Sequence, residues 1–194
     1  SKGEGLGNKF LSHIREVDAI IHLVRCFESD KITHVNSKIN PVDDLETIKT
    51  EIILSDLDII QKKLEKGKKK LLEEKEIKIL EDKLKQLNDG KEVIVNDKDE
   101  KKFLSTLGLL SIKPKIIVCN VDEESLAKGN SFTESVKKNY SEEKVVTICA
   151  DIEDQIMGLD NIERESFMKE IPAAIPPTES IAFPVTSAET FCAI

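Results

Sequence analysis

Three continuous apolar runs rich in β-branched residues constrain the fold of this chain more than anything else in it. They are Ala19-Ile20-Ile21-His22-Leu23-Val24-Arg25, Lys115-Ile116-Ile117-Val118-Cys119 and Lys144-Val145-Val146-Thr147-Ile148-Cys149. An unbroken apolar stretch of strand length suits a strand buried on both faces, as in a parallel sheet. A helix-length segment, roughly 123–139, separates the second run from the third. Strand, helix, strand at this spacing is a βαβ unit, and right-handed crossovers then favour an open parallel sheet. The expected class is α/β.

A long middle segment interrupts that pattern. Asn40-Pro41 supplies a cap-like residue and a proline suited to a first helical turn. Leu45, Ile48, Ile52, Ile53, Leu57, Ile60 and Leu64 then step by three and four, as do Ile77, Leu80, Leu84 and Leu87 beyond a lysine-rich stretch. Two heptad-like arms with a short polar connection predict an antiparallel helical hairpin, a coiled coil, over about 40 to 90, with Asn88-Asp89-Gly90 as its stop. A shorter helical patch, Phe103 to Leu110, leads back towards Pro114 and the next strand.

The expected organisation is one α/β domain made of 1–39 and 111–171, with a helical arm, 40–110, inserted between two of its strands. Phe10, Leu11, Ile14 and Val17 recur at helical spacing ahead of the first strand, and Ile162, Phe167 and Met168 mark a late helix. From Pro172 periodicity is lost, so 172–194 is expected to be an irregular tail.

Composition excludes several function classes. Cys26, Cys119, Cys149 and Cys192 are dispersed with no CxxC pair, which fits a reducing compartment, and the first three lie in or beside apolar runs where a thiol behaves as a small hydrophobe. His13, His22 and His34 lack metal-ligand spacing with any cysteine, so no metal site is expected from them. A net charge of -8 and an aromatic content of 4% with no Trp argue against indiscriminate nucleic-acid binding and against base stacking along single strands. No DNA sequence specificity is expected. No apolar run reaches the ~18 residues of a membrane span, and no signal peptide opens the chain. The expected location is the cytoplasm, with no membrane partner.

Ligands of an open parallel sheet sit beyond the carboxyl ends of its strands. Two loops qualify here, Asn120-Val121-Asp122-Glu123 and Cys149-Ala150-Asp151-Ile152-Glu153. An Asn amide offers both a donor and an acceptor to a purine edge, and a nearby carboxylate accepts from ring N–H or amino groups. A small residue such as Ala150 lets backbone N–H groups approach a base. The competing structural reading makes Asn120 and Asp122 an Asx turn or helix cap.

Order along the chain adds specificity. The opening Ser1-Lys2-Gly3-Glu4-Gly5-Leu6-Gly7-Asn8-Lys9-Phe10, continuing through Val17-Asp18-Ala19-Ile20, resembles the segment after the switch II glycine in the YchF family of Obg-like ATPases. Ile32-Thr33-His34-Val35 and Asn40-Pro41-Val42-Asp43-Asp44 are similar to that family's entry into its coiled-coil domain. Asn120-Val121-Asp122-Glu123 stands where relatives carry Asn-Lys-x-Asp, which becomes Asn-x-x-Glu in this family. The resemblance covers roughly 1–170 and implies an incomplete Ras-like parallel sheet with an inserted helical hairpin.

The resemblance also implies function. It places a purine base, of ATP or else GTP, against Asn120, Val121 and Glu123, with backbone at Cys149 and Ala150 on its other side. Gly3, Gly5 and Gly7 would form a switch loop sensing the γ-phosphate. His34 would take the water-orienting role in hydrolysis, against the simpler reading of an exposed loop histidine. A ribosome or ribosomal RNA is the implied partner. Lys62, Lys63, Lys66, Lys68, Lys69 and Lys70, opposed locally by Glu65 alone, are candidate phosphate contacts, or else simply a solvated helix end. No G-x-x-x-x-G-K-[ST] loop occurs in these 194 residues, and residues 172–194 do not resemble the family's C-terminal TGS domain. The Mg²⁺ ligands of the complete protein would lie upstream as well. A piece unable to hydrolyse nucleotide by itself is therefore expected. The competing class is a non-catalytic helical interaction module with a vestigial pocket; nucleic-acid binding without nucleotide dependence fits the charge less well.

Overall fold

The computed structural model describes residues 11, 13–29, 38–67, 72–170 and 191–193. In chain order the elements are β1 (Ala19–Arg25), α1 (Pro41–Gly67), α2 (Glu74–Asn88), α3 (Lys98–Ser105), β2 (Lys115–Asn120), α4 (Glu123–Lys128), α5 (Ser131–Asn139), β3 (Lys144–Ile148), α6 (Ala150–Met157), α7 (Asn161–Glu170) and β4 (Phe191–Ala193). They divide into two compact units. One joins the described residues through Ile20 to Glu46–Pro114 and to Phe191 and Cys192, and the other joins Ile21–Leu45 to residues 115–170 and Ala193.

The sheet runs in the order β3-β2-β1-β4. Strands β2 and β3 are parallel, in a register from Ile116 opposite Lys144 to Asn120 opposite Ile148. The amide of Ile20 donates to the Pro114 carbonyl (2.9 Å) and that of Cys26 to Asn120 (2.7 Å). Both partners advance together, so β1 is parallel to β2. In β2 the consecutive residues Ile116, Ile117, Val118 and Cys119 are all buried. Neither face of that strand meets water, which is why its sequence does not alternate. The three residues of β4 fall in the segment expected to be irregular; positions 172–190 lie outside the described residues.

The crossover from β2 to β3 is two helices rather than one. Gly129 takes a φ of 71° after α4, and its amide donates to the Ser125 carbonyl (2.8 Å). Asn130 then opens α5 with a capping box: its side chain accepts from the Thr133 amide (3.0 Å), and the Thr133 hydroxyl accepts from the Asn130 amide (2.9 Å). A left-handed glycine followed by a capping residue ends one helix and starts another, which the apolar spacing alone does not reveal.

In the other unit, α1 and α2 bury Ile53, Ile60 and Leu64 against Leu80 and Leu87, joined by Val93, Leu104 and Leu109. Each such side chain contributes about 1.5–3 kcal/mol on leaving water. Because only residues 68–73 connect helices that share this core, the pair is an antiparallel hairpin. The helical patch expected at 103–110 instead spans Lys98–Ser105, with Asp97 capping it by accepting from the Glu100 amide (2.8 Å). The chain leaves this helix through turns and a positive-φ Gly108, so Leu109 and Leu110 are buried without being helical.

Two sites of buried charge lie inside this unit, the Lys83–Glu100 pair and Asp56. Lys83 is fully buried and its ammonium sits 2.5 Å from Glu100 and 2.9 Å from Asp82. Burial by itself would lower the Lys83 pKa, but its hydrogen bonds to Glu100 and Asp82 outweigh burial and raise it above 10.5. A raised folded-state value means stability that is fully present below about 10.5 and lost as pH rises through the folded value. Denaturant unfolding from pH 9 upward should therefore show a steeper alkaline loss in the parent than in Lys83→Met (pH values chosen about the lysine range). Identical slopes would remove Lys83 from the pH dependence.

The second is Asp56. Its carboxylate accepts from the amides of Leu110 (2.9 Å) and Ser111 (2.8 Å) and from the Ser111 hydroxyl (2.6 Å). Arg15 lies 4.0 Å from the same carboxylate and donates to the Gly108 carbonyl (3.2 Å) and to the Ser55 hydroxyl. Lys113 donates to the carbonyls of Arg15 (3.1 Å) and Val17. The residues before β1 are thus tied to the arm by charged, partly buried hydrogen bonds.

Candidate functional site

The carboxyl ends of β2 and β3 meet at one point. Asn120 closes β2, and its side-chain oxygen accepts from the Ala150 amide at 2.9 Å. Ala150 is the first residue of α6, so the segment expected as a loop at 149–153 is helical from its second residue. Cys149, the residue before the helix, makes no capping hydrogen bond with its side chain. A first-turn amide that its own cap leaves without a partner is satisfied instead by Asn120, thirty residues earlier. With its oxygen committed, Asn120 is left with the NH₂ group as its donor for a ligand.

The other residues of the two turns have separate tasks. Val121 donates its amide to the Ile148 carbonyl (2.8 Å), and its side chain is 2% exposed among Val24, Cys26, Leu45 and Cys119. Only its backbone is placed at the rim. Asp122 caps α4 by accepting from the Ser125 amide (2.9 Å), which is the capping role weighed for this motif. Glu123 is the exposed first residue of α4. Cys149 is buried, while Ala150 is exposed beside Asn120. The Cys26 thiol, hydrogen-bonded to Cys119 and buried, is pushed far above the ordinary thiol range and stays protonated.

These turns border a cleft of about 500 Å³ lined by Phe27, Asn120, Val121, Asp122, Glu123, Glu124 and Asp151. Sequence reasoning passed over Phe27 and Glu124 as lining residues, and placed Asp151 in a ligand loop without giving it a role. Phe27 had a usable signal: it stands just past the carboxyl end of β1, where ligands of such sheets bind. Its segment is held firmly. The Arg25 guanidinium stacks 4.9 Å from the Phe27 ring centre, and Arg25 donates to the carbonyls of Phe27 (3.0 Å) and Ser29 (3.3 Å). Asn130 donates to the Cys26 carbonyl (2.7 Å) and the Ser125 hydroxyl (3.2 Å), joining the end of β1 to α4.

The cleft is acidic. Asp122, Glu123, Glu124 and Asp151 all line it, so it disfavours phosphate groups and suits an uncharged, amine-bearing end of a ligand. Among the described residues no group of three or more His, Cys, Asp or Glu is arranged to hold a metal ion. Gly3, Gly5, Gly7, His34, Lys68, Lys69 and Lys70 lie outside the described residues. Lys62, Lys63 and Lys66 end α1, and Lys62 is paired with Asp58 at 2.6 Å, so Glu65 is not the sole local counter-charge. Among the described residues no helix is long and apolar enough to cross a membrane.

The chain is 38% identical over 184 residues to the Ribosome-binding ATPase YchF of Bacillus subtilis, which aligns with 88% of this chain. It is 41% identical over 182 residues to the protein of that name in Escherichia coli O157:H7, again over 88% of this chain. The chain belongs to the YchF family. The structure of the Schizosaccharomyces pombe YchF GTPase superposes with a TM-score of 0.74 at 26% identity, covering 84% of this chain and 48% of that one. No protein-family model matches the chain. The chain spans about half the length of the YchF relatives it matches, 50% and 49% of the two bacterial proteins. The α/β fold of this chain, three parallel strands with several helices, matches that of the YchF GTPase.

Proposed function

We propose that the cleft beside Asn120 holds the purine of a nucleoside triphosphate, ATP or GTP, in a switch that works on the ribosome. The observation carrying this reading is the 2.9 Å bond from the Ala150 amide to Asn120, which brings both turns to one rim. The Asn120 NH₂ then donates to a purine ring nitrogen, and the Phe27 ring, backed by Arg25, offers a flat apolar wall. Because Asp122 is occupied as a helix cap, Glu123 is the carboxylate of the Asn120–Glu123 motif left to choose between bases. Guanine presents N1–H and N2–H₂ donors that a well-placed Asp accepts together; a longer Glu displaces that acceptor pair and removes guanine's advantage. The acidic lining directs the phosphates away from this end of the cleft.

Hydrolysis needs more than this rim. Backbone N–H groups and a lysine cradling the triphosphate, with Mg²⁺ beside them, supply most of the electrostatic stabilisation in this reaction class. The 194 residues contain no loop of that pattern, so they are expected to bind nucleotide without turning it over. In the complete machinery His34 would orient the attacking water, and Gly3, Gly5 and Gly7 would report the γ-phosphate. The Arg15, Asp56 and Lys113 bonds support an output through the arm, because they fasten the residues before β1 to it. The arm is read as a coiled coil whose lysine-rich tip, Lys62, Lys63, Lys66, Lys68, Lys69 and Lys70, meets ribosomal RNA; the protein would then be cytoplasmic. The relatives' own name, Ribosome-binding ATPase YchF, supports that partner.

Titration with fluorescent ATP and GTP tests the site. Saturable binding without guanine preference is expected, with the ATP-to-GTP ratio shifted towards GTP in Glu123→Asp. An unchanged ratio would remove Glu123 from base selection. In parallel, co-sedimentation with ribosomes should weaken steeply with added salt, as a phosphate contact requires. Salt-independent pelleting would count against the lysine tip.

A further inference from the structure

Strand β3 ends the sheet, and its outer edge has no partner among the described residues. Within a strand, successive residues aim their N–H and C=O groups to opposite sides. The Ile148 carbonyl accepts from Val121, so Ile148 faces β2. Lys144 and Val146 share that direction, and Val145 and Thr147 present their amides and carbonyls to the open edge. Beside this edge runs a groove of about 510 Å³, with Leu126, Lys128 and Lys137 of α4 and α5 on one side and Val145 and Thr147 on the other.

The charge along the groove is uncommitted. Lys128 and Lys137 are exposed and have no ion-pair partner among the described residues, unlike Lys62, Lys78 and Lys83. Glu134 is the one acid lining the groove, and Lys144 stands exposed at the start of the strand. Edge lysines repel a second copy bearing the same row of charges, which guards against self-pairing. The same row attracts carboxylates. We propose that the β3 edge is a docking site for an extended acidic peptide. Such a peptide adds as a further strand through Val145 and Thr147 and sets carboxylates against Lys128 and Lys137. This surface is separate from the cleft at Asn120 and does not depend on the nucleotide reading.

The probe is a short fluorescein-labelled peptide alternating valine and glutamate, with lysine replacing glutamate in a matched control. Anisotropy should show saturable binding of the acidic peptide and none of the basic one. Thr147→Pro removes an outward amide while sparing the ladder to β2, and Lys137→Glu reverses a groove charge. Each should weaken binding by about tenfold or more. Amide exchange at Val145 and Thr147 in the unaltered protein should slow when the acidic peptide is added, a readout that does not depend on either variant folding. The proposal is overturned by absent binding of the acidic peptide, by unchanged exchange at those two amides, or by sedimentation showing that the edge pairs with a second copy instead.

Discussion

Asp56→Ala should lower the unfolding free energy by about 3–5 kcal/mol, the range for breaking a buried charged network by removing one member. The side chain is fully buried in the middle of α1 and answers three donors at Leu110 and Ser111, themselves buried. Alanine leaves both amides and the hydroxyl without an acceptor, and each unsatisfied buried group costs about 1–3 kcal/mol. It also removes the counter-charge of the Arg15 guanidinium, which lies 4.0 Å away. Asp56→Asn keeps one acceptor oxygen and should fall between the parent and the alanine variant. Urea unfolding measures both. A loss under about 1 kcal/mol for alanine would show that solvent or a rearranged chain satisfies those donors, and that Asp56 does not hold the chain at Leu110 and Ser111.

Asn120→Ala is expected to weaken ATP binding by about tenfold or more, each tenfold being about 1.4 kcal/mol. Two things go at once: the NH₂ donor proposed for the purine and the acceptor that holds the Ala150 amide. Asn120→Asp separates them. The aspartate still accepts from Ala150, so α6 and the thermal stability should be close to the parent. It offers no N–H to the base and adds a charge to an acidic cleft, so nucleotide affinity should stay low. If Asn120→Asp binds ATP as well as the parent does, the side chain serves only to seat α6, and the cleft loses its recognising group.

How far the chain could be read in advance differs from residue to residue. Three strands were legible because burial on both faces leaves an unbroken apolar run, and β2 is buried in just that way. The hairpin was legible because a helix that hides one stripe must repeat apolar residues every three or four positions, as Ile53, Ile60 and Leu64 do. α6 was hidden, because Cys149 gives no capping signal and the amide it leaves open is met from another strand. Asp56 and Lys83 were hidden for a related reason: a charged residue in a helix reads as solvent-facing until its partners are seen. Those partners are Leu110 and Ser111, 54 and 55 residues away, and Glu100 on another helix.

By itself the sequence determined the periodicities, and with them the three parallel strands, their order and the two arms of the hairpin. Periodicity reports which faces avoid water, and that is a local property of each segment. Only the tertiary structure decided which polar groups answer one another: Asn120 with Ala150, and Asp56 with the chain at Leu110. Hydrogen bonds act over about 3 Å and leave no repeating mark in the sequence, so their partners are known only once the chain has brought them together.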